Sequence, residues 1–167
     1  MAYIFILLGI LFRLIPHLPN ATPVAAIALF GGTYLNRRSA LIVPLLIMMI
    51  SDVFLGMHSL VVFTWGAFLM TGLIGLWLKD HKTLPNIMGS TLFSSLLFFI
   101  ITNFGVWAVP GSWYPHTSQG LLNCYVMGLP FFRYTLAGDL AYVGVLFGLF
   151  EVVQIAEKKL TLIDRSI

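Results

Sequence analysis

Long apolar runs separated by short polar breaks dominate the chain. The runs at residues 2–16, 39–57, 60–78, 87–109 and 131–156 read as membrane helices, since a hydrocarbon core about 30 Å thick takes roughly 20 helical residues. The first run is short, and Arg13 near its end can snorkel to the interface. Residues 24–35 add one more apolar segment, which at about twelve helical residues reaches only roughly 18 Å. Ahead of it lies Pro16-His17-Leu18-Pro19-Asn20-Ala21-Thr22-Pro23, where the prolines exclude helix. Such a half-length span, completed by non-helical chain, persists at membrane depth only if it is buried in protein or lines a water-filled cavity. The pattern predicts an all-α membrane protein in a single domain over 1–167. Its expected architecture is a six-transmembrane-helix bundle with a broken, short second helix.

The polar stretch 110–120 is followed by apolar residues at 121, 122, 125, 126 and 129, then Pro130. This helical spacing is too short to span, and it predicts an interfacial or lid helix ahead of the last span. Small residues in the short second span (Ala25, Ala26, Ala28, Gly31 and Gly32) suit close helix packing or a docking face for another membrane protein.

Composition agrees with the pattern. The chain is 59% hydrophobic and 9% charged, against about 25% charged in soluble domains, and its mean hydropathy is +0.97. Seven of the nine Lys and Arg (Arg37, Arg38, Lys79, Lys82, Lys158, Lys159 and Arg165) fall on the side that carries both termini. By the positive-inside rule the termini are cytoplasmic, and the net charge of +3 needs no nucleic-acid partner. Residues 2–12 lack a basic leader and a small-residue cleavage site, so they read as a retained span. A single cysteine, Cys124, excludes an internal disulfide and a multi-cysteine metal site. Nucleophile-elbow, zincin and phosphate-loop motifs are all lacking. The expectation is therefore no enzyme, no catalytic residues, and no metal or cofactor of its own.

Four charges fall at the other end of the apolar runs: Arg13, Asp52, Arg133 and Asp139. Charge at a helix centre costs roughly 2.5–3.5 kcal/mol on insertion scales, so such residues face a bundle interior or cavity and find partners. Arg13–Asp52 and Arg133–Asp52 are the candidate pairs. The four are either staples between helices or the wall of a ligand site, with Asp52, Arg133 and Asp139 its charged members. Asn103 shares the depth of Asp52. Trp107, Trp113, Tyr114 and His116 surround the 110–120 loop, as an interfacial belt or as a cap over a flat ligand. Cys124 and Tyr125 lie on the expected lid helix, and His17, Asn20 and His58 fall in outward turns.

The runs Arg13-Leu-Ile-Pro-His-Leu-Pro-Asn-Ala-Thr-Pro-Val-Ala-Ala, Ser51-Asp52-Val-Phe-Leu-Gly-Met-His58, Thr102-Asn-Phe-Gly-Val-Trp107, Pro130-Phe-Phe-Arg133 and Gly138-Asp139-Leu carry a resemblance. Over about residues 10–150 the chain resembles the S-component-like family of energy-coupling-factor vitamin transporters. Within that family it looks most like the solitary cobalamin-transporting S-components. The resemblance implies six helices in a bacterial cytoplasmic (inner) membrane and an outward-facing pocket for a vitamin. It also implies an energy-coupling transmembrane subunit with ATPases as partner. Cobalamin-transporting members are expected to ligate cobalt through a cysteine near the third and fourth spans. Here that region offers His58, and the one cysteine is Cys124, so these two are the candidate cobalt ligands of a bound corrinoid. The function expected is uptake of a vitamin-like micronutrient, cobalamin or another corrinoid among the candidates. The alternatives are an intramembrane enzyme modifying a lipid or cofactor, with Asp52, Asp139 and a histidine as acid–base groups, and a structural membrane subunit.

Overall fold

A computed structural model describes residues 2–14 and 22–164. Among these the regular structure is all helical: α1 (Ala2–Leu14), α2 (Val24–Tyr34), α3 (Arg37–Leu55), α4 (Val61–Asp80), α5 (Leu84–Ala108) and α6 (Ser118–Asp164). Four helical stretches are long and apolar enough to cross a membrane: α3, α4, α5 and Ser118–Lys159 of α6. α1 and α2 are shorter, and the segment 15–21 expected to complete the broken second span lies outside the described residues.

The polarity runs inside out. Val53, Phe54 and Val62 are more than two-thirds exposed, whereas Ser51, Asp52, Thr71, Thr91, Ser95 and Asp139 are buried. An apolar exterior around a polar interior suits a lipid surround, where ionisable groups turn inward to find partners.

α2 occupies the centre. Every residue from Val24 to Thr33 is buried, and α2 packs against α3, α4 and α6. It is apolar all round, as a helix enclosed by others must be. Its glycines let α4 come close: a Cβ added at Gly32 would lie 2.5 Å from Gly72 O, and one at Gly75 would collide with Leu29 O. Of the two readings of this small-residue stripe, intramolecular packing holds, and the stripe is buried rather than free for docking. On one side Val24, Ile27, Val43, Ile47, Met48 and Phe68 form a core. On the other, Leu29, Phe30, Leu78, Val143 and Phe147 form a second.

Short polar turns set the ends. Asn36 caps α3 by accepting from Ser39 N at 2.9 Å, and Thr83 caps α5 by accepting from Asn86 N at 3.3 Å. Gly56 ends α3 at φ +97, a conformation costly for any residue with a Cβ.

One expectation is corrected. Residues 121–129 are not a separate lid helix. They are the first turns of α6, which runs unbroken for 47 residues with Pro130 inside it. Pro130 removes one backbone donor, but its ring is on the exposed side. The buried positions Gly120, Cys124, Gly128, Thr135, Asp139, Val143 and Phe147 recur at intervals of four and seven on both sides of it. A single buried face therefore carries the helix through the proline.

Candidate ligand-binding site

At the end of the bundle holding the α3–α4 turn and the α5–α6 loop, two adjoining chambers open between the helices. They share Leu60, Thr64 and Phe98 in their walls. The inner chamber, about 330 Å³, is lined among others by Arg13, Met48, His58, Phe68, Thr135 and Asp139. The outer one, about 420 Å³, is lined among others by Asn103, Trp113, Tyr114, Cys124, Met127 and Phe131.

The inner wall is built around Asp52, in the last turns of α3 and 1% exposed. The Arg13 guanidinium, arriving from α1, lies 2.7 Å from its Oδ1. Trp65 Nε1, one turn into α4, donates to its Oδ2 at 2.9 Å. Arg13 Nη1 also donates to Ser51 Oγ at 2.5 Å. Three helices are thereby tied through one carboxylate, and of the two pairings expected for Asp52 the Arg13 one is present.

His58, at the rim, comes within 4.0 Å of Asp52 Oδ2 through Nε2. Its Nδ1 accepts from Leu60 N at 3.2 Å. A neutral His58 thus carries its proton on Nε2, facing the chamber and Asp52.

Asp139 stands across from this wall, on the continuous inner face of α6 and 3% exposed. Ser95 Oγ lies 2.7 Å from its Oδ2 and 3.0 Å from Thr91 O, so one hydroxyl proton serves two acceptors. No cation pairs with Asp139 among the described residues.

In the outer chamber Asn103 hydrogen-bonds back to Phe99 O at 2.9 Å, and its side-chain oxygen sits against Gly128, where a Cβ would collide. Cys124 Sγ donates to Asn103 O at 3.3 Å. Trp113, 96% exposed, and half-buried Tyr114 form the outer lip.

The chambers therefore gather Asp52, His58, Asn103, Trp113, Tyr114, Cys124 and Asp139 from the expected set, Asp52 as the support of Arg13. Others stand apart. Trp107 donates to Pro115 O at 2.9 Å and packs edge-on to exposed His116, so both brace the loop rather than line a chamber. Tyr125 packs on Phe99 and donates to Ile100 O at 3.0 Å, joining α6 to α5. Arg133 is exposed and holds the ring and hydroxyl of Tyr134. It does not pair with Asp52, because its direction from the helix axis lies about 200° from that of inward-facing Thr135. His17 and Asn20 lie outside the described residues. The two candidate cobalt ligands, His58 and Cys124, line different chambers.

Trp65, Ser95, Thr64 and Phe98 belong to the site; Trp65, Thr64 and Phe98 carry no signal of it in the sequence, where they look like belt or packing residues. Ser95 offers a partial cue, because Thr91 and Ser95 put two hydroxyls four apart on one helix face.

These features define a helical membrane-type protein with a two-chambered, mostly apolar cavity at one end that carries a few polar groups. The chain belongs to a family of unknown function, DUF6580, whose match extends over residues 1–161. No curated protein matches it, and no solved structure does.

Proposed function

We propose that this chain is the substrate-binding subunit of a membrane transporter, taking up a vitamin-like micronutrient through the two-chambered cavity. On this reading the bundle spans a bacterial inner membrane six times with cytoplasmic termini, and the cavity faces outward. The observation that carries it is the cavity itself: a concave, mostly apolar space with a few fixed polar groups, inside a bundle whose exterior is apolar. The basic turns at 37–38 and 79–82 lie at the opposite end of the helices, consistent with that orientation.

Chamber volumes of about 330 and 420 Å³ suit a drug-sized molecule, for which pockets run roughly 300–1,000 Å³. A corrinoid, with its macrocycle and amide arms, would require the loop around Trp113 to part. A smaller micronutrient fits the chambers better. An energy-coupling partner with ATPases is part of the proposal, because the sequence has no phosphate-binding loop.

An intramembrane enzyme using Asp52 as a base is less well supported. Both oxygens of Asp52 are already engaged, by Arg13 and Trp65.

The test is a thermal-stability screen of the purified protein in lipid nanodiscs against water-soluble vitamins and corrinoids. A true ligand at a hundredfold excess over its Kd should stabilise by about 2.7 kcal/mol. No stabilisation by any member, together with no uptake by cells expressing the chain, would overturn the proposal. If cobalamin binds, His58→Ala and Cys124→Ser should be compared by visible spectroscopy. Unchanged spectra in both would remove them as cobalt ligands.

A further inference from the structure

Among the described residues, and with Asp139 ionised, the inner chamber carries a net negative charge. Arg13 and Asp52 neutralise each other at 2.7 Å, His58 is neutral when only Nε2 holds its proton, and Asp139 remains. The chamber's other polar groups are largely committed. Thr64 Oγ1 bonds back to Leu60 O and Val61 O, Thr135 Oγ1 to Phe131 O, and His58 Nδ1 is taken by Leu60 N. Thr22 adds one more hydroxyl at the wall. Asp139 receives a single shared hydroxyl proton from Ser95, although a carboxylate has about four acceptor sites.

Among the described residues, a carboxylate held this way lacks the cationic partner that intramembrane acids normally have. Resting on the cavity as the ligand site, we propose that Asp139 supplies the specificity of the inner chamber by pairing with the ammonium or amidinium group of an organic cation. The flat apolar body of that ligand lies past Phe98, against Trp113 and Tyr114 in the outer chamber. The geometry disfavours an inorganic ion, which needs several ligands, because no three His, Cys, Asp or Glu side chains cluster to hold a metal among the described residues.

The experiment uses two matched pairs of probes that differ in charge but little in shape: tryptamine with tryptophol, and phenethylamine with phenylethanol. Binding is measured by calorimetry to the full chain in lipid nanodiscs. Each amine should bind the wild type roughly tenfold or more tightly than its alcohol, the worth of one charge-assisted hydrogen bond. Asp139→Asn should erase that preference. Equal binding of amine and alcohol to the wild type overturns the assignment and leaves the cavity intact as a ligand site. A preference that survives in Asp139→Asn overturns it equally. Failure of all four probes to bind overturns it as well, while the cavity reading is decided by the vitamin screen. The wild-type comparison decides the matter even where a variant does not fold.

Discussion

Replacing Arg13 by Met should be among the most destabilising single changes at the cavity, although the residue lies in the outermost turn of a short helix. Its guanidinium sits 2.7 Å from an Asp52 carboxylate that is 1% exposed. At an effective dielectric of about 20, two unit charges at that distance attract by about 6 kcal/mol. Desolvation offsets much of this, but removing one member strands the other, which costs roughly 3–5 kcal/mol. Asp52 would keep only the Trp65 indole. Asp52→Asn should cost less, about 3 kcal/mol, because the 14% exposed Arg13 side chain can reach water more readily. Replacing both residues by apolar ones, Met and Leu, should recover most of the loss and leave only about the cost of the Trp65 hydrogen bond, because no charge is then left alone. As a control, Trp65→Phe removes one hydrogen bond and should cost about 0.6–1.7 kcal/mol. The measurement is equilibrium unfolding by denaturing-detergent titration in mixed micelles, arranged as a double-mutant cycle. Single variants within 1 kcal/mol of wild type (about fivefold in the equilibrium constant), or a double variant as unstable as the sum of the singles, would refute the reasoning.

Two further outcomes follow from the packing. Gly75→Ala should destabilise by about 1–3 kcal/mol, because its Cβ collides with the Leu29 carbonyl and neither backbone can move aside cheaply; unfolding in the same micelles checks this, and an unchanged midpoint would refute it. At the other end, Lys82 donates to Glu151 Oε1 at 2.7 Å and to Tyr34 OH at 3.0 Å, and the Glu151 contact chiefly raises its pKa above the usual 10.5. That contribution is fully present below pH 10.5 and fades as pH rises through the elevated value. The pair is partly exposed, so Lys82→Met should cost only about 0.2–1 kcal/mol at neutral pH, and the gap to wild type should close above that range in an alkaline unfolding series.

The helices were legible wherever an apolar run was long, because length and hydropathy are imposed by the bilayer and not by neighbours. The join within α6 was not. Pro130 reads locally as a stop, whereas the buried positions from Gly120 to Phe147 keep one face in phase across it. Of the site, Arg13, Asp52 and Asp139 were legible from the cost of charge in an apolar run. Arg133 illustrates what depth alone misses, since its direction around the helix axis turns it away from the chambers and onto Tyr134. Trp65 and Ser95 were hidden because a tryptophan or serine in such a run costs little wherever it points. Only the packed structure brings them to Asp52 and Asp139.

The approach of α2 to α4 has a consequence for how variation in this protein will read. Gly32 and Gly75 meet backbone where any side chain would stand, while Trp113 and His58 at the cavity are open to solvent. In a saturation-mutagenesis library scored on abundance, these two glycines will rank among the poorly replaceable positions, although they carry no chemistry. The exposed residues at the cavity will look permissive until the screen selects for the ligand itself.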